Sequence, residues 1–177
     1  MPRSPAVRAA AIVAVLLVLG VGWYLGSPLF IRTTTFEALP TAALSGSSAP
    51  SASAAATSGS DRPPPVARVI ARGDLQYVDA LHNGKGPVML MQLGVQRFLR
   101  FDGVAITNAP DVHVYLSRDT GGKWSESTSL YLGALKATNG SFNYDVPADA
   151  DLGTFKSVVV WCRAFAVLVT WADLKAA

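Results

Sequence analysis

This sequence predicts a mainly β fold, an antiparallel β-sandwich of jelly-roll or Ig-like outline, with one N-terminal transmembrane helix. Three observations predict it. Short runs of Val, Ile, Leu and aromatic residues recur through residues 66–177 with period-two alternation. Turn residues separate them, notably Asn83-Gly84, Asp119-Thr-Gly-Gly122 and Asn139-Gly140. An uncharged stretch occupies residues 9–31, and no long amphipathic helical pattern competes with the strands.

In chain order, residues 1–8 form a short N-terminus with Arg3 and Arg8, expected in the cytoplasm. Residues 9–31 follow as the anchor. At about 1.5 Å per residue they cross a hydrocarbon core of roughly 30 Å. Trp23 and Tyr24 suit the distal headgroup region, and Pro28 ends or kinks the helix. Only Arg32 lies close on the far side, so the positive-inside bias puts everything after it outside the cytoplasm. A cleaved signal peptide is the rival reading. The length of the run and the bulky Leu29, Phe30 and Ile31 favour an uncleaved anchor.

Residues 32–65 read as a juxtamembrane segment and linker. Between 41 and 60 the composition falls to Ala, Ser, Thr, Gly and Pro around a single Leu44, too little apolar surface to fold. The expected behaviour is a tether of roughly 25 Å reach, stiffened by Pro63-Pro64-Pro65. Charge divides unevenly along the chain. Arg3, Arg8, Arg32 and Arg62 face only Glu37 and Asp61, whereas residues 66–177 balance 11 Lys/Arg against 10 Asp/Glu. With no basic block, nucleic-acid binding is excluded as a reading of the high pI.

Residues 66–177 suffice for one domain. Expected strands are 67–70, 74–78, 88–92, 95–101, 112–117, 130–135, 141–145, 157–161 and 164–170. Val112, Val114 and Leu116 form one strand face, with His113 and Tyr115 on the other. The chain has one cysteine, Cys162. Alternation places Val158, Val160, Cys162 and Ala164 inward, and Val159, Trp161, Arg163 and Phe165 on the wetter side. A single thiol cannot form an internal disulfide, so Cys162 is buried filling, a reactive thiol or a ligand. In an exported domain an unpaired thiol is a feature to explain.

Five segments in order resemble the DM-thirteen electron-transfer domain, a family associated with DOMON domains in extracellular redox proteins. They are Gly73-Asp-Leu-Gln-Tyr77 with His82 and Gly84; Phe98-Leu-Arg-Phe-Asp102; Ala109-Pro-Asp-Val-His-Val-Tyr-Leu-Ser117; Leu132-Gly-Ala-Leu-Lys136 with Gly140 and Asn143-Tyr-Asp-Val-Pro147; and Val158-Val-Val-Trp-Cys-Arg-Ala-Phe165. Phe36-Glu-Ala-Leu-Pro40 resembles a segment that precedes the domain in membrane-anchored members. The resemblance implies a sandwich-like domain with a redox role. In it Cys162 acts as a bare thiol or as ligand to a prosthetic group such as haem, together with a redox protein partner. Val169 and Trp171 depart from the family's pattern in the last strand.

Other residues add little chemistry. His82, His113, Met89 and Met91 are haem-ligand types, and His82 is the candidate second cofactor contact beside Cys162. No Cys-x-x-Cys-His motif is present, and Cys162, His82 and His113 lack compact zinc spacing, so no metal site is expected. Asp111 after Pro110 reads as a turn cap. No strand-elbow-helix context surrounds the serines, which argues against hydrolysis and against a free-standing catalytic activity. The expected function is a membrane-tethered extracytoplasmic electron-transfer or thiol-redox domain centred on Cys162. The alternative is a binding or envelope-structural module in which Cys162 only packs.

Overall fold

The computed structural model describes residues 5–27, 31–40 and 66–177. The Pro28 helix end and the Ala/Ser/Pro-rich tether lie outside the described residues. Helix α1 runs Pro5–Gly26, about 33 Å at 1.5 Å per residue. Proline is tolerated at its first position, where no intrahelical N–H bond is lost. Arg8 is its one charged residue. Apolar residues lie all round, so this is a helix long and apolar enough to span a bilayer. Signal sequences near an N-terminus share that property.

The strands are β1 Thr34–Phe36, β2 Arg68–Asp74, β3 Gly84–Lys85, β4 Pro87–Leu93, β5 Gln96–Ile106, β6 Val112–Ser117, β7 Ser129–Ala134, β8 Asn139–Val146, β9 Ser157–Cys162, β10 Val167–Asp173 and β11 Lys175–Ala176. Among the described residues they build two sheets. One has the order β1-β8-β5-β4-β2-β11, with β3 also on β5; the other is β10-β9-β6-β7. Both are antiparallel except where β1 runs parallel to β8. The fold is therefore mainly β, as the alternation predicts, with the two sheets enclosing one core.

Registers explain that core. Val88, Phe101 and Phe142 lie side by side across β4, β5 and β8, and Leu90, Leu99 and Tyr144 form the next row. Facing them, Val112–Cys162, Val114–Val160 and Leu116–Val158 pair across β6 and β9. All these residues belong to one buried cluster. Phe101 and Phe142 stack with centroids 5.1 Å apart, and Tyr144 meets Phe101 edge-on at 5.8 Å. The Tyr144 hydroxyl donates to Ala134 O and accepts from Lys136 N, which pins the β7–β8 connection. Burial pushes this phenol well above the ordinary tyrosine range.

Three local expectations change. Asn139-Gly140 is not a hairpin turn but the start of β8. Gly140 has φ +107°, and a Cβ there would run into the Thr35 carbonyl, so the glycine admits β1 at close range. Gly84 likewise lies in β3, where a Cβ would sit 2.7 Å from the Thr170 side chain. Residues 74–78 give no separate strand, because Asp74 closes β2 and residues 75–79 form a loop.

Part of the expected juxtamembrane segment belongs to the sheet. Thr34, Thr35 and Phe36 align with Asn139, Gly140 and Ser141. Glu37 N donates to Ser141 O, and the Glu37 carboxylate accepts from Asn143 N at 2.9 Å and from Lys136 Nζ at 3.0 Å. Burial raises this carboxyl, but the Asn143 amide and the Lys136 ammonium outweigh it and hold it below its ordinary value. A three-residue strand has no period to read, which is why the composition of residues 32–65 concealed it.

Candidate functional site

Cys162 is the last residue of β9 and is fully buried. It aligns with Val112 on one side and Val167 on the other and belongs to the core between the sheets. The inward direction read from alternation is thus the one observed, with Arg163 outside. Ala164, expected inward, and Phe165 do not continue the strand faces, and Val159, expected on the wetter side, is fully buried between its neighbours Tyr115 and Trp171. Residues 163–166 form an exposed turn between β9 and β10, closed by Ala166 N donating to Arg163 O at 3.3 Å. Ala166 has φ +52°, an uncommon conformation for a residue with a Cβ, so this tip carries strain beside the thiol.

His82 lies in a surface turn organised by Asp79. The Asp79 carboxylate accepts from Leu81 N and His82 N at 2.7 Å each, and His82 Nδ1 lies 2.8 Å from Asp79 Oδ2. The His82 bonds, chiefly the side-chain one, hold Asp79 below the ordinary carboxylate range. Among the described residues no hydrogen bond joins His82 to Cys162, and no group of three His, Cys, Asp or Glu side chains forms a metal site. Haem does not fit this arrangement. Cys162 is enclosed by core side chains, and neither described surface groove reaches it or His82. One groove is lined by Arg72, Trp171 and Lys175, the other by Arg118, Ser129 and Phe155.

A histidine and aromatic constellation lies on the outer face of the β10-β9-β6-β7 sheet. Alternation on β6 sends His113 and Tyr115 to that face, where Tyr131 aligns with Tyr115 across β7, and Trp161 with His113 across β9. His113 Nε2 lies 2.6 Å from Asp111 Oδ1, and Nδ1 lies 3.0 Å from Tyr131 Oη. Among the described residues the Asp111 side chain bonds His113 and not the backbone of its own turn, so the expected turn cap is not formed. His113 is buried, not the exposed surface histidine its outward side suggests.

Arg163 closes the face. Its Nε donates to Tyr115 Oη at 2.7 Å, and its guanidinium carbon sits 4.6 Å from the centre of the Tyr131 ring. That hydrogen bond, with the phenols and Asp111 around it, raises the guanidinium pKa further. Tyr115 then meets Trp124 at 5.4 Å, and Trp124 stacks on Trp161 at 4.9 Å. Trp124 Nε1 is buried with no hydrogen-bond partner among the described residues. Alternation pairs His113 with Tyr115 on one strand face and Trp161 with Arg163 on another, but does not join the two faces. The His-x-Tyr alternation after Asp111 was the available signal; Tyr131 and Trp124 come from other segments and join only through sheet register.

The geometry defines a class: a two-sheet β domain behind an apolar helix, with one enclosed thiol backed by an aromatic and histidine face. The sequence model of the family described as Electron transfer DM13 matches residues 76–174, and the chain belongs to that family. No curated protein and no solved structure matches the chain. Membership supports a redox-related role, and the apolar helix suggests tethering.

Proposed function

We propose that this protein is an electron-transfer domain tethered by α1, with its sandwich on the extracytoplasmic side, and that Cys162 is its thiol centre. The observation that carries the reading is the position of Cys162 within an electron-transfer family domain: fully buried, yet next to an exposed and strained turn. A thiol enclosed in the core reacts only when the surrounding structure opens. Opening of residues 163–166 uncovers the end of β9 without separating the sheets. Arg163 does not activate the thiol, because its side chain is engaged with Tyr115 on the opposite face. Arg3 and Arg8 before the apolar run, against Arg32 alone beyond it, support this orientation.

Thiol titration of the purified protein tests the Cys162 reading. Cys162 is expected to react slowly under native conditions, at a rate that urea well below the unfolding midpoint leaves nearly unchanged. Reaction that appears only with global unfolding would favour the packing role. A visible band that disappears in Cys162→Ser would instead point to a ligated group and overturn the bare thiol.

Orientation has its own expected result. Protease added to right-side-out vesicles cuts between residues 41 and 65, while the folded sandwich resists. Full protection until the membranes are opened would place the domain on the cytoplasmic side.

A further inference from the structure

We propose that Tyr131, hydrogen-bonded to His113 and through it to Asp111, is a proton-coupled one-electron port on the outer face of the β10-β9-β6-β7 sheet. The inference rests on the electron-transfer reading but not on Cys162. Tyr131 is 46% exposed, so a partner's redox centre can approach its ring. The His113–Asp111 pair behind it is largely withdrawn from water on the histidine side, where the side chain is 10% exposed.

The proposed port uses the neutral His113 tautomer protonated at Nε2. In that tautomer Nε2–H donates to the accepting Asp111 carboxylate across 2.6 Å, and the Nδ1 lone pair accepts from the Tyr131 hydroxyl across 3.0 Å. When a one-electron oxidant of the oxidised-metal-centre class removes an electron from the ring, the Oη–H bond breaks and the proton moves to Nδ1. The products are a neutral tyrosyl radical, an imidazolium facing the Asp111 carboxylate, and the reduced metal centre. One electron and one proton have moved; the return step reverses both.

Arg163 favours the coupled route. A guanidinium 4.6 Å from the ring centre opposes a phenol radical cation, which adds positive charge to the ring, but not a neutral radical. The titratable and charged groups facing the port are Asp111, His113, Tyr115 and Arg163. From Tyr131 the rings continue through Tyr115, 5.4 Å away, to Trp124 and Trp161. Trp161 immediately precedes Cys162. The exposed phenol is therefore joined by contacting π systems to the strand that bears the thiol.

The full chain in detergent, with tris(bipyridine)ruthenium(III) generated by a light flash as oxidant, tests the port. The wild type is expected to give a fast-forming neutral tyrosyl signal in electron paramagnetic resonance, slowed in heavy water. Tyr131→Phe should abolish the fast phase while the protein still melts in one cooperative transition. His113→Gln should slow it about a hundredfold, the usual worth of a positioned proton acceptor. Asp111→Asn, which leaves the histidine packing in place, should slow it in the same direction and keeps the test decisive if His113→Gln fails to fold. Cys162→Ser should retain the fast phase. An unchanged fast phase in Tyr131→Phe or Asp111→Asn, or its loss in Cys162→Ser, would overturn the port. The thiol titration reads Cys162 independently, so failure of either reading is separable from failure of the other.

Discussion

Phe101→Ala is expected to lower the unfolding free energy by about 3–5 kcal/mol, the range for removing a buried phenylalanine from a core. Phe101 is fully buried in β5, between Val88 of β4 and Phe142 of β8. Its ring stacks on Phe142 and takes Tyr144 edge-on. Both flanking strands are themselves paired on their far sides, so neither can slide inward to fill the space. The cavity term therefore adds to the lost transfer energy. Denaturant titration should show a lower midpoint with the same slope, because the surface exposed on unfolding barely changes. A loss under about 1 kcal/mol would mean that the sheets collapse onto the gap and that Phe101 is not wedged between its neighbours. By contrast, Tyr131→Phe removes the hydroxyl that partners the buried His113 Nδ1 and should cost about 1–2 kcal/mol.

Gly140→Val is the second large effect, at roughly 3 kcal/mol from backbone strain and the lost edge strand together. The residue needs φ +107°, which a β-branched side chain tolerates poorly, and its Cβ would collide with the Thr35 carbonyl. The substitution should detach β1, so the Glu37 amide, bonded to Ser141 O in the native state, loses its hydrogen-exchange protection. Gly103→Ala is the control. Gly103 has φ +58°, but a Cβ added there would meet nothing within 4 Å, so that variant isolates the conformational cost of about 1–2 kcal/mol. Equal losses in the two variants, with β1 still protected, would show that the close approach of Thr35 carries no energetic weight.

The redox reading and these stability effects meet at one place in the fold. β6 supplies Val112, Val114 and Leu116 to the core and His113 and Tyr115 to the outer face. A register slip of one residue would exchange the two sets. The sandwich core therefore also aligns the Asp111–His113–Tyr131 hydrogen bonds and the Arg163 contact.

Whatever local period carries was legible in the residues alone. Val112–Ser117 is the strand its alternation predicts, Ser157–Cys162 extends the predicted one by a residue, and Cys162 points inward because Trp161 and Arg163 take the other side. The uncharged N-terminal run likewise yields a helix, Pro5–Gly26. Five ordered segments also sufficed to place the chain in its family. Features that depend on partners far along the chain emerged only with the packed sheets. β1 exists because Thr34–Phe36 finds the edge of β8, about a hundred residues away, and Gly140 is read correctly only once Thr35 lies over it. His113 looked exposed because alternation reports a side of a sheet and not what covers it. Its burial comes from packing beside Asp111 and Tyr131, with Arg163 over the Tyr131 ring. Period along one strand records the neighbours a residue avoids, whereas register between strands fixes the neighbours it meets, and the second is set by the whole core.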